Sequence, residues 1–129
     1  MKQITALVKK YLDDRNWNHL EPTNLAKSIS IEAAELLEVF QWKNYSVEQL
    51  KSKKELEERV KKEMADVMIY CIELAIHLRV DLEEVIKNKI TYNSEKYPAE
   101  EIMKHKGENH DESFYMKRKL EYRKIVKKG

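Results

Sequence analysis

Residues 63–78 read EMADVMIYCIELAIHL, and this stretch decides the fold. Apolar side chains occupy nearly every position of its helical wheel, a pattern that predicts a helix sunk in a core. Its polar groups, Glu63, Asp66, Tyr70, Glu73 and His77, recur at alternating spacings of three and four. At about 100° per residue they fall in one stripe about 80° wide. A helix otherwise suited to an interior therefore carries a row of ionisable groups on one face.

Working outward, the chain reads as helix almost throughout. It has two Gly and two Pro in 129 residues, and its Glu, Lys, Leu, Ile and Ala content favours helix over sheet. A first helix is expected from about residue 3 to 14, with Ile4, Leu7, Val8, Tyr11 and Leu12 on one side. Residues 15–22 (RNWNHLEP) read as a loop, because Asn and Pro disfavour continuation. Thr23 or Asn24 is positioned to cap a second helix that reaches Trp42. Ser46 caps a short turn over residues 47–50, and the third helix runs from about 53 to 78. Asp81, with Glu84 at the capping-box position, opens a fourth that ends before Pro98. Residues 104–113 read as loop, and 114–126 as either a separately packed helix or a disordered basic tail. The expectation is an all-α, four-helix bundle in one domain. Short bundles often complete their core with a second copy, so an oligomer, dimer or tetramer, is expected.

The formal net charge of +2 is unevenly spread. Residues 113–129 hold seven Lys/Arg against one Glu, leaving the body at −4. The single cysteine, Cys71, has no intrachain partner, which points to a reducing, cytoplasmic setting. No apolar run approaches the roughly 20 residues that span a bilayer, and the N-terminus lacks the apolar core of a signal peptide. A soluble protein with no membrane partner is expected.

The second helix repeats the anomaly of the third. Glu32, Glu35 and Glu38 stand at i, i+3 and i+6 between apolar flanks formed by Leu25, Ile29, Leu36 and Phe40 on one side and Ile31 and Trp42 on the other. Bringing Glu32, Glu35, Glu63 and Asp66 together is unfavourable by itself. One like-charge pair about 4 Å apart costs about 4 kcal/mol at an effective dielectric of 20. Protonation or bound cations relieve that repulsion, and hard oxygen donors suit Mg²⁺ or Mn²⁺ better than Zn²⁺. A lone ExxE is common on solvated helices; two such pairs on strongly apolar helices are not. Glu38 and Glu73 read as solvated groups or as groups behind the ligands. On the fourth helix, Lys89, Asn93 and Lys96 are spaced four and three, so two cations and an amide share one face, as suits a polyphosphate.

Glu32-x-x-Glu35, 27 intervening residues, then Glu63-x-x-Asp66 resembles the MazG-type all-α nucleoside triphosphate pyrophosphohydrolases, and within them the dCTP pyrophosphatase-like branch. The likeness extends to Arg15-Asn-Trp17, Pro22-Thr-Asn-Leu25, residues 28–42, Asp66-Val-Met-Ile-Tyr70, Lys89-Ile-Thr-Tyr-Asn93 and Lys96-Tyr-Pro98. It covers residues 1–98, taken as the catalytic domain, and leaves 99–129 as a polar and basic extension. The resemblance implies that Glu32, Glu35, Glu63 and Asp66 hold Mg²⁺. Water then attacks the α-phosphorus of a (d)NTP, giving (d)NMP and pyrophosphate in nucleotide-pool housekeeping. Glu35 or Glu38 would orient or deprotonate that water, and the spacing does not choose between them. The resemblance also turns Lys89, Asn93 and Lys96 into phosphate-binding residues and places Trp17, Trp42, Tyr70 and His19 around the base, with dCTP or a modified dCTP as substrate. His77 reads as a buried or interface histidine. The rival reading is a helical binding module with a vestigial metal site, whose basic tail contacts nucleic acid or an acidic partner. The acidic body and the full set of four acids argue against it.

Overall fold

The structure, a computed structural model, describes residues 1–104 and 111–126, with side chains described through 104 and from 114 to 124. It is all-α, and no described residue lies in a strand. The helices are α1 (Lys2–Asp13), α2 (Pro22–Val39), α3 (Val47–Lys51), α4 (Lys54–Leu78), α5 (Leu82–Lys96), α6 (Ala99–Lys104) and α7 (Asp111–Val126). The chain falls into two compact units, Met1–Leu82 and Glu83–Gly129. None of the described helices is long and apolar enough to cross a membrane.

In the first unit α4 packs chiefly along α2, then against α1 and α3. Val8, Leu12 and Ile72 form a buried cluster joined by Ile69, Ile76 and Leu82. Leu25 and Val39 are buried on α2, fourteen residues apart, with Glu32 midway between them. Seven residues bring a helix back to nearly the same face, so Glu32 lies on the seam that α2 buries. Helix α4 is not enclosed all round, as its composition predicts. Met64 and Met68, one turn apart, are 53% and 42% exposed, because three neighbours in one unit cannot wrap a helix of 25 residues.

The helix ends follow recognisable chemistry. Ser46 caps α3 as expected, and does so in a capping box with Gln49, whose backbone N–H it accepts at 3.2 Å while Gln49 Oε1 accepts the Ser46 N–H at 3.0 Å. The start of α2 corrects the sequence reading. Its N-cap is Glu21, not Thr23 or Asn24, because Pro22 occupies the first turn, where its missing N–H costs nothing. Helices α1 and α4 close alike. Asn16 and Arg79 both adopt φ of 55°. Behind them the Trp17 N–H donates to the Leu12 carbonyl and the Val80 N–H to the Ala75 carbonyl, each at 3.0 Å. Asn tolerates this left-handed conformation; Arg does so at a cost. Arg79→Gly is expected to raise stability by about 0.5–1 kcal/mol, read as a higher urea midpoint. A lower midpoint would mean that the arginine side chain contributes more than its backbone costs.

In the second unit Tyr97 stacks on Tyr115 with ring centroids 5.1 Å apart, and Tyr92 meets Tyr122 edge-on at 5.8 Å. Arg118 pairs with Glu101 and, at 3.6 Å, with Glu121. Helix α7 thus continues to Val126, with Tyr115, Arg118 and Tyr122 packed within this unit. Helix α6 is an addition. The Pro98 carbonyl accepts the N–H groups of Glu101 and Ile102 at 3.1 Å, so the proline that ends one helix also starts another. Of the expected loop at 104–113, residues 105–110 lie outside the described residues.

Candidate metal and nucleotide site

Helices α2 and α4 bring three carboxyl groups together. Glu32, Glu63 and Asp66 each offer an oxygen, and these atoms lie within 4.8 Å of one another. Glu32 and Glu63 are half-buried and Asp66 is exposed. Burial, then the neighbouring charges of Glu35, Asp66 and Glu63, push the Glu32 carboxyl above its ordinary pKa. Glu35 lies outside the set of three, but its charge is felt at Glu32; it and Glu38 face solvent on α2. The donors are all carboxylate oxygens, and around one octahedral ion at about 2.0–2.1 Å such oxygens sit at comparable mutual separations. The residues therefore fit a hard divalent cation and do not suit Zn²⁺, which favours His and Cys.

Beside Asp66 opens a cavity of about 390 Å³. Leu12, Leu20 and Ile69 give it apolar walls; Tyr11, Trp17 and Tyr70 line it with aromatic rings; His19, Asp66 and Glu73 supply its polar groups. The aromatic wall is braced. Trp17 meets Tyr11 edge-on with centroids 5.9 Å apart, and the Arg15 guanidinium lies 3.9 Å from the Tyr11 ring centroid. Arg15 Nη1 also donates to the Tyr11 carbonyl at 3.1 Å, and Asn18 Nδ2 donates to Asp13 Oδ1 at 2.7 Å, tying the loop back to α1. The Lys9 ammonium, which hydrogen-bonds Asp13, holds that carboxyl below its ordinary pKa.

Of the expected base-contacting residues, Trp17, His19 and Tyr70 line this cavity. Trp42 does not; it is 89% exposed in the turn after α2. Lys89, Asn93 and Lys96 belong to α5 in the second unit. There the Lys89 ammonium lies 4.7 Å from the Tyr92 ring centroid, and that of Lys96 lies 5.1 and 5.4 Å from those of Tyr97 and Tyr122.

Sequence reasoning passed over Tyr11, read only as part of an apolar face, and understated Glu73. Glu73 is 2% exposed, and burial pushes its carboxyl above the ordinary range, with His77 opposing weakly. A carboxyl of this kind keeps its proton where the unfolded chain has lost it, so its contribution to stability declines as pH rises from the unfolded value towards the raised native one. Glu73→Gln removes that decline. The melting-temperature difference, variant minus wild type, is expected to widen as pH climbs above 4.5, the ordinary value. A pH-independent difference would mean that Glu73 titrates alike folded and unfolded.

Comparison with known proteins joins these features to a family. A model of the MazG-like family matches residues 27–111, well over half of the chain. The chain is 32% identical over 105 residues to dCTP pyrophosphatase 1 of Rattus norvegicus and 32% identical over 101 residues to that of Homo sapiens, in each case over 77% of this chain. It spans about 59% of the length of those relatives. A crystal structure of a pyrophosphatase from Archaeoglobus fulgidus superposes with a TM-score of 0.66 at 38% identity, covering 76% of this chain and 92% of that one. Glu32 and Glu35 of α2 and the whole of α4 fall within the matched residues, and the chain belongs to the MazG-like family.

Proposed function

We propose that the protein is a nucleoside triphosphate pyrophosphohydrolase that converts dCTP or a base-modified dCTP to the monophosphate and pyrophosphate. The observation that supports it most is the meeting of three carboxylate oxygens from two helices, within 4.8 Å, beside an aromatic-lined cavity. The relatives' names describe the same chemistry, cleavage of dCTP.

Glu32, Glu63 and Asp66, with Glu35 completing the set of four acids, would hold a divalent cation, Mg²⁺ with Mn²⁺ as a substitute. When bound, it neutralises triphosphate oxygens and stabilises the charge that moves onto the leaving pyrophosphate. Glu35, one turn from Glu32 and facing solvent, orients the attacking water and accepts its proton; Glu38, a further turn away, lies farther from the cluster along α2. The water oxygen bonds to the α-phosphorus as the bond to the bridging oxygen breaks, and pyrophosphate takes the electron pair. Lys89, Asn93 and Lys96 bind phosphate. Trp17, Tyr70 and His19 flank the base, where stacking on an aromatic ring contributes about 1–3 kcal/mol. The protein works as a dimer or tetramer. The exposed apolar side chains Ile31, Leu37, Met64 and Met68 favour that assembly. Trp42, almost fully exposed in the single chain, completes the site at a subunit contact.

The test is pyrophosphate release with Mg²⁺ from dCTP, 5-methyl-dCTP, dTTP, dUTP, dATP and dGTP. Turnover that stops with chelator and is fastest on a cytosine substrate is expected. Silence across the panel from folded, Mg²⁺-binding protein would overturn the reading.

A further inference from the structure

Among the side chains of the described residues, the Glu73 carboxyl is the one with a buried polar atom left without a hydrogen-bond partner. Its Oε1 is shielded from solvent and has no hydrogen-bond partner. His77 Nε2, one turn on along α4, stands 3.8 Å away, beyond hydrogen-bonding reach. An orphaned buried acceptor destabilises a fold, and a group retained in that state invites a functional explanation. Here the surroundings supply one, because Glu73 lines the cavity beside the carboxylate cluster.

Its place along α4 is informative. Asp66 and Glu73 are seven residues apart and share a face, separated by about 10 Å of axial rise. Tyr70 lies between them and Trp17 across the same cavity. A nucleotide whose α-phosphate is at Asp66 and whose base lies against these rings reaches Glu73 with the edge of its base. We propose that Glu73 reads the base, its carboxyl at the cavity wall accepting a hydrogen bond from an exocyclic amino group such as N4 of cytosine.

This inference rests on the proposed nucleotide site and adds to it a discriminating atom. Uracil differs from cytosine at that position by presenting a carbonyl oxygen in place of the amine. Two acceptors then face each other in a buried site, and neither is satisfied. Trp17, Tyr70 and Tyr11 provide stacking that any base can use; Glu73 supplies the selectivity they lack.

The experiment compares the wild type with Glu73→Ala and Glu73→Gln. Calorimetric affinities for dCMP and dUMP in the presence of Mg²⁺ are measured alongside kcat/KM on dCTP and dUTP. The wild type is expected to favour the cytosine nucleotide by at least about tenfold, the scale of one unpaired buried acceptor. Glu73→Ala should bring that ratio close to one. Glu73→Gln, whose amide can present either a carbonyl or an amine, should retain binding with a reduced ratio. An unchanged ratio in both variants, or an equal weakening for both nucleotides, overturns the inference while leaving the proposed reaction intact. Absence of hydrolysis by a wild type that still binds dCMP over dUMP, with the preference lost in Glu73→Ala, overturns the reaction and upholds the base reading. A wild type that binds neither nucleotide overturns both.

Discussion

Asp66→Asn is expected to lower triphosphate hydrolysis by at least about 100-fold without harming the fold. The magnitude follows from what lesser changes do: losing a group that merely orients a metal ligand typically costs 10- to 100-fold, and Asp66 supplies a ligand oxygen itself. The fold is spared because the side chain is exposed and the amide has nearly the same shape. Without metal, the variant should melt at or above the wild-type temperature, since one charge leaves a cluster in which burial and then mutual repulsion raise the Glu32 pKa. Saturating Mg²⁺ should reverse that order. A ligand at 100 times its dissociation constant stabilises the folded state by about 2.7 kcal/mol, and only the wild type has the full set of oxygens. Melting curves over a Mg²⁺ titration, with pyrophosphate release assayed in parallel, separate the two effects. Wild-type turnover in Asp66→Asn would remove this carboxylate from the proposed chemistry.

The sequence exposed this cluster because its two halves obey helical periodicity. Glu32 recurs on the same face as Leu25 and Val39, both buried, so a carboxylate interrupts an otherwise apolar seam. Glu63 and Asp66 begin the polar stripe on α4, and the two seams then meet. Periodicity does not report depth, however. Along the one stripe Asp66 is exposed, Tyr70 half-buried and Glu73 nearly sealed, a gradient set by how α1 and its loop lie over the C-terminal half of α4. That is why Glu73 read as an ordinary polar group and Tyr11 as an apolar one. Trp42 and Trp17 likewise look equivalent in sequence, but the closure at Asn16 turns Trp17 into the cavity and nothing similar acts on Trp42. Proline showed half of its role: α5 does end at Lys96, before Pro98, but both prolines also begin helices. Pro22 and Pro98 read as breaks, whereas a residue with fixed φ and no N–H is equally suited to begin a helix, as in α2 and α6.

Leu25→Ala should destabilise the protein by about 2–5 kcal/mol, the usual range for a buried leucine. Leu25 has no exposed surface and lies one heptad before Glu32 on the buried face of α2. The loss is a large share of the 5–15 kcal/mol that holds an ordinary domain folded. Because the same face carries a metal-binding oxygen, the cavity loosens the seam that sets the α2–α4 spacing at the cluster. Mg²⁺ should then recover part of the stability while binding more weakly than in the wild type. Urea unfolding with and without Mg²⁺ measures both quantities. Leu37→Ala on the same helix is the informative partner. Leu37 is 69% exposed in the single chain, and surface substitutions usually change stability by less than about 0.5 kcal/mol. A loss from Leu37→Ala that approaches that of Leu25→Ala, and that grows on dilution, would mean that a second copy covers this side of α2. A negligible loss at every concentration would leave Leu37 in water and direct the search for a subunit contact to Met64 and Met68 on α4. Less than about 1 kcal/mol from Leu25→Ala itself would contradict the packing of α2 on α4 that brings the carboxylates together.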